Sequence, residues 1–101
     1  MKTRAIEFHE DATSDLLALY DWLAEVASPE AALGYLERIE SYCRGFDIVS
    51  ERGQLREDVR PGLRVVGFEK RVTIAFVVEE KRVLFLRVFY GGQNWEGSFE
   101  S

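Results

Sequence analysis

Arg64 and Arg87 are the residues of this 101-residue chain whose positions most need a chemical reason. Each sits inside a run that otherwise reads as an apolar strand, Leu63 to Glu69 for the first and Val83 to Tyr90 for the second. An arginine turned into an apolar interior is costly, so alternation predicts that both point to the more open face of a sheet. There they can hold a phosphate or a carboxylate, or pair with Glu69 or another acid. The aromatic residues that follow, Tyr90, Trp95 and Phe99, either present an interface or patch the sheet. His9 is the single histidine; beside Glu10 and Asp11 it reads as a surface histidine ahead of two helix-start acids. Cys43 is the single cysteine, which excludes an internal disulfide and suits a small core residue in a reducing compartment. The patterns HExxH, CxxC, GxxxxGK[ST] and GxSxG do not occur, and no helix pattern follows Gly91-Gly92 to make a phosphate loop. Metal, nucleotide and acyl-enzyme chemistry find no support, and neither a metal nor a cofactor is expected.

The elements that must position these residues are sharply punctuated. Thr3 to Phe8 is a short strand candidate that adds to a sheet formed later. Asp11, Thr13 and Ser14 are N-cap candidates for a helix whose apolar side repeats at Leu16, Tyr20, Leu23 and Ala27, with Asp15, Asp21 and Glu25 on the wet side. Ser28 as N-cap and Pro29 at the first helical position open a second helix, whose stripe is Ala32, Leu36, Ile39, Cys43 and Phe46. So short a joint makes the two helices an antiparallel hairpin lying on one sheet face. Residues 50–62 form a charged connection. Three strands then follow in antiparallel meander order, the middle one, Val72 to Val78, apolar on both sides and so mid-sheet. The expected fold is α+β in the order β-α-α-β-β-β, a single domain over residues 1–101 with 91–101 as a tail.

Composition narrows the function classes. With 47% hydrophobic and 13% aromatic residues the chain can bury a modest core without staples. No apolar run approaches the roughly 20 residues of a membrane span, and MKTRAIEFHED lacks the apolar centre of a signal peptide, so a soluble cytoplasmic protein is expected. The net charge is −5, distributed as −6 over residues 1–50, +3 over 51–90 and −2 over 91–101. A chain that tracks a phosphate backbone is normally basic, so sequence-specific nucleic-acid binding is not expected. The positive sheet half suits an acidic protein segment instead.

The element order, the segment LREDVRPGLR at 55–64, the run VTIAFVVEEKRVLFLRV at 72–88 and the ending FYGGQNWE at 89–96 resemble the ParE branch of the ParE/RelE toxin superfamily of bacterial toxin–antitoxin modules. The resemblance runs from Ile6 to about Trp95. Family members usually end the last strand with histidine or tyrosine, glycine, a variable residue and Arg-Asp; here Tyr90-Gly91-Gly92-Gln93-Asn94 lacks the arginine and the aspartate. ParE-like members imply an inhibitor that binds DNA gyrase and hydrolyses nothing. The alternative, a ribosome-dependent mRNA endonuclease of the RelE kind, needs a base and cations for the developing phosphorane charge. Those are poorly represented, with Thr73 and Gln93 near positions where RelE-like enzymes carry arginines. The resemblance implies no catalytic residue and a cognate ParD-like antitoxin, and strand alternation with the aromatic tail gives the target-binding set Arg64, Arg87, Tyr90, Gln93 and Trp95. The antitoxin would contact Leu63, Val65, Phe85 and Phe89 with a helix laid in an apolar groove and an added strand.

Overall fold

The structure, a computed structural model, describes residues 3–91 and 95–99. Strand β1 (Ala5–Phe8) leads into helices α1 (Glu10–Val26) and α2 (Pro29–Arg44), and a single 3-10 turn (Gly45–Asp47) ends the hairpin. Strands β2 (Gln54–Leu55), β3 (Leu63–Phe68), β4 (Val72–Val78) and β5 (Arg82–Tyr90) follow, then a 3-10 segment, Trp95–Phe99. The α+β class and the β3-β4-β5 antiparallel meander agree with the sequence reading. The sheet is larger than that reading, with five strands in the order β1-β5-β4-β3-β2. β1 pairs in parallel with β5, Ala5 opposite Arg82 and Phe8 opposite Phe85, which makes β5 an inner strand. β2 lies in the segment read as a plain connection. Two residues are too few for a period-2 pattern to show.

Both helix starts are explained by side-chain acceptors for amides that no helical carbonyl reaches. Ser28 Oγ accepts from Ala31 N at 3.0 Å, with Pro29 preset behind it. At α1 the cap is His9, whose Nδ1 accepts from Asp11 N at 3.0 Å, rather than Asp11, Thr13 or Ser14. Starting the helix at Glu10 adds residues in front of the expected stripe without changing its phase, so that Ala12 joins it. Ala12 and Leu19 are buried, Leu16 and Leu23 pack behind them, and Leu17 is exposed. The stripe expected for α2 is present: Ala32, Ile39, Cys43 and Phe46 are fully buried. Phe46 stands edge-on to Phe76 and Phe85 at 5.2 and 5.5 Å, the aromatic centre of the helix-side core. Burial also pushes the Cys43 thiol up to about 12, so it stays a neutral apolar filler at cellular pH.

The sheet has a second apolar layer on the face away from the helices. Leu63, Ala75, Leu86 and Phe89 are buried there under Val59, Trp95 and Phe99. Which side chain serves which layer is set by a register shift between Ala75 and Phe76, where Ala75 faces Arg87 but Phe76 faces Phe85. Beyond this bulge the alternation of β5 flips. Val83, Phe85 and Val88 face the helices and Tyr90 packs with them, while Leu84, Leu86 and Phe89 face away. Plain alternation from Val83 to Tyr90 would put Leu84, Leu86, Val88 and Tyr90 on one face and Phe85 with Phe89 on the other; one extra residue overturns that division.

Gly53 is fixed by space and by backbone conformation. It has φ +72°, and a Cβ there would come within 2.2 Å of the Val65 carbonyl oxygen across the β2–β3 ladder. Gly53→Ala adds a left-handed L-residue, roughly 1–2 kcal/mol, to a backbone collision that must separate the strands. The expected loss is about 2 kcal/mol or more, seen as a fall in urea midpoint with the m-value unchanged. Gly45→Ala, where a Cβ meets open space, should leave the midpoint within about 0.5 kcal/mol.

Candidate functional site

The end of β1 leaves the β1-side edge of β5 uncovered beyond Phe85, and a cleft of about 640 Å³ opens there. His9 and Asp11 line one wall, the turn Val59-Arg60-Pro61 and Ser98 another, and Leu84, Leu86 and Phe99 give it an apolar floor. Arg87 is the charged residue at its centre. The Arg87 Nε and Nη2 donate to the two carboxylate oxygens of Asp15 at 2.7 and 3.0 Å, and the guanidinium lies 4.9 Å over the Phe89 ring. Asp15 Oδ2 also accepts from Val88 N at 2.9 Å, taking a strand amide that β1 does not reach. The Asp15 carboxylate raises the pKa of Arg87 further above its ordinary value. Asp15 was read as a wet-side residue of α1; its side chain is 17% exposed and bonded to the sheet.

The tail is drawn onto the same face. Arg56 donates through Nε and Nη2 to Asp58 at 2.9 and 2.8 Å, and Nη2 also reaches Glu96. Its guanidinium lies 5.1 Å over the Trp95 ring, and Phe99 stands edge-on to Phe89 at 6.3 Å. Arg56 thereby ties the tail to the β2–β3 connection. The bond from Arg56 holds the Asp58 carboxyl below the usual carboxylate range. In the cleft, His9 spends Nδ1 as an acceptor for the helix, so a neutral imidazole carries its proton on Nε2. Arg60 lines the rim and is exposed, and no described carboxylate lies within ion-pair reach of it. Among the described residues no group of three His, Cys, Asp or Glu could hold a metal ion.

The residues singled out from sequence are scattered by the fold. Arg87 lines the cleft and Trp95 packs beside it on the same face. Arg64 does not join them: it pairs with Phe76 on the helix side of the sheet and reaches Glu51 at 3.5 Å and the Arg52 carbonyl at 3.3 Å. Both arginines are in ion pairs, though with Asp15 and Glu51 and not with Glu69. Tyr90 is on the helix side, 5.2 Å from the Trp22 ring. Gln93 lies outside the described residues. Of the residues assigned to antitoxin contact, Phe85 is wholly buried in the helix-side core, and Leu63 and Phe89 are buried in the opposite layer. Only Val65 keeps part of its surface. Sequence reasoning missed Asp15, Arg56 and Arg60. For Asp15 the signal was available, since an arginine inside an apolar strand asks for an acid on the covering helix.

A family model described as the ParE toxin of type II toxin-antitoxin systems, parDE, matches residues 6–95. Among solved structures, one titled "Chromosomal ParDE TA system from P. aeruginosa" superposes with a TM-score of 0.77 at 26% sequence identity. The superposition covers 88% of this chain and 97% of that one. A search of curated proteins gives no match.

Two outcomes follow from the pairs. Asp15→Ala leaves Arg87 partly buried without its anion and the Val88 amide without an acceptor, and should cost about 1–3 kcal/mol of unfolding free energy. Glu40→Ala, which removes only the exposed pair with Arg44, should stay within about 0.5 kcal/mol. The depressed Asp58 pKa contributes stability that is full above the ordinary 3.8 and lost as pH falls through the lower folded value. Below about pH 4, Arg56→Gln should therefore lose less stability per pH unit than the unaltered chain, measured by urea unfolding.

Proposed function

Because this chain belongs to the ParE toxin family of type II toxin–antitoxin systems, we propose that it binds and inhibits DNA gyrase in the cytoplasm until a ParD-like antitoxin captures it. The observation that carries a binding mode of action, as opposed to RNA cleavage, is the Arg87–Asp15 pair. Phosphoryl transfer wants an unneutralised cation facing the developing charge and a free base at the attacking hydroxyl. Arg87 spends its charge on a carboxylate of its own chain, and His9 spends its acceptor nitrogen on the start of α1.

What remains for a target is a contact surface. In this reading Arg60 supplies the positive charge at the rim of the cleft, Arg87 contributes a guanidinium already paired with Asp15, and Trp95, held under Arg56, supplies an aromatic anchor, with Gln93 close to it in the sequence. Arg64 and Tyr90 drop out of the target set because their side chains turn to the helix side. The antitoxin meets Val65 and, on the helical hairpin, exposed apolar side chains at Leu17, Trp22, Val26 and Leu33. Those give a partner helix the apolar contact that Leu63, Phe85 and Phe89, spent on the core, cannot give.

The test is gyrase supercoiling and plasmid cleavage with the purified chain, with and without its antitoxin. Inhibition or linearised plasmid is expected, abolished by stoichiometric antitoxin. Arg60→Glu should weaken the effect by about tenfold or more with an unchanged melting temperature, the loss of one rim charge pair plus the repulsion that replaces it. A folded chain without effect on gyrase would overturn the reading, and ribosome-dependent mRNA cleavage would then be assayed with the same preparation.

A further inference from the structure

At the other end of the sheet, a second groove of about 560 Å³ runs between α2, the β3–β4 turn and the end of β5, sharing no residue with the cleft. Its floor is apolar, with Leu23, Ala31 and Gly34 on one side and the Tyr35 and Tyr90 rings 6.3 Å apart on the other. The Tyr35 hydroxyl is buried and has no hydrogen-bond partner among the described residues. A buried hydroxyl that is left unsatisfied costs free energy, so it is either a defect or a donor waiting for an acceptor.

Two arginines line the groove with it. Arg38 is occupied: it lies 4.9 Å over the Tyr35 ring and makes a two-pronged bond to Glu69 at 3.0 and 3.1 Å. Arg71 is exposed and has no anion among the described residues. The turn that presents it is strained, because Glu69 and Lys70 have φ of 51° and 64°, and Arg71 N closes the loop on the Phe68 carbonyl at 3.2 Å. That geometry ordinarily selects asparagine and glycine. Here it is filled by Glu69, the acid that locks Arg38, and by Lys70, with Arg71 next in the chain.

We propose that this groove is a recognition site for a single carboxylate on a peptide segment: an acidic side chain whose oxygens are received by Arg71 and the Tyr35 hydroxyl, with apolar neighbours lying on Leu23, Ala31 and Tyr90. One free cation matches one anion. Glu30 and Glu69 offset Arg38 and Arg71 in the lining, so the groove has no net positive charge to hold the many anions of a phosphate chain, which selects against nucleic acid. Desolvation raises the Tyr35 pKa, so the hydroxyl stays protonated and able to donate. The site does not depend on which target the toxin strikes.

The experiment is a backbone-amide NMR titration of the full chain with acetyl-Leu-Glu-Leu-amide, acetyl-Leu-Gln-Leu-amide and inorganic phosphate. Saturating shifts at Gly34, Tyr35 and Arg71 are expected with the glutamate peptide, and binding weaker by about tenfold with the glutamine peptide, the worth of one charge-assisted bond. Arg71→Gln and Tyr35→Phe should each weaken the glutamate peptide by about fivefold or more. Neither should lower the melting temperature, since neither group has a partner to lose. Equal binding of both peptides, shifts that saturate elsewhere, or phosphate binding as tightly as the glutamate peptide would overturn the proposal.

Discussion

Strand β5 is nine residues long and β1 covers only four of them, and the rest of the fold depends on how the remaining edge is closed. An open edge on an inner strand leaves amides and carbonyls that must find partners or invite another chain. Asp15 closes it from α1 by accepting the Val88 amide and the Arg87 guanidinium together. One carboxylate therefore fixes the hairpin against the sheet, terminates the ladder and neutralises a cation placed among apolar residues. The bulge opposite Ala75 is what lets Val88 face the core while Arg87 turns to the edge. Without that extra residue the same sequence would send the arginine toward Phe46 and Phe76.

The sheet carries apolar side chains on both faces, and two unequal covers meet that demand. The helical hairpin covers one face around Phe46. On the other, a short tail does the work with two aromatic rings and one arginine clamp, burying Leu63, Leu86 and Phe89. A light cover means that this face is shaped by contacts few enough to rearrange, while the helix side is not. The division also explains the charge pattern. The arginines that close the tail, the cleft rim and the 50–53 loop all come from the sheet half of the chain, and their acids come from both halves.

Much of this order was legible in the sequence because it is local. Ser28-Pro29 writes a helix start that any chain would obey, the α2 stripe has a clean period, and Val72 to Val78 could only be an inner strand. The resemblance at LREDVRPGLR and FYGGQNWE pointed to the family that the match over residues 6–95 bears out. The candidate site was far less legible, because its geometry is set by events without a local signature. A histidine supplied the α1 cap, a single bulge reversed the second half of β5, and a two-residue strand formed inside an irregular connection. The bulge puts Tyr90 on the helix side and buries Phe85 and Phe89 on opposite faces, while Arg64 follows the unbroken β3–β4 register opposite Phe76. Pairing between Arg87 and Asp15 spans most of the chain and follows from register, which alternation alone does not supply.

The parallel seam between β1 and β5 has a consequence for how the molecule comes into being. Ala5 is made 77 residues before its partner Arg82, so the first strand waits, unpaired, while the hairpin and β2 to β4 are synthesised. The hairpin of α1 and α2 rests on near-neighbour contacts and can form early, but the cleft needs His9, Arg60 and Arg87 at once. A nascent or prematurely terminated chain thus carries helices without the assembled surface. The surface that His9, Arg60 and Arg87 form together is therefore assembled only after β5 has been made, well after the helical hairpin that carries its first residues.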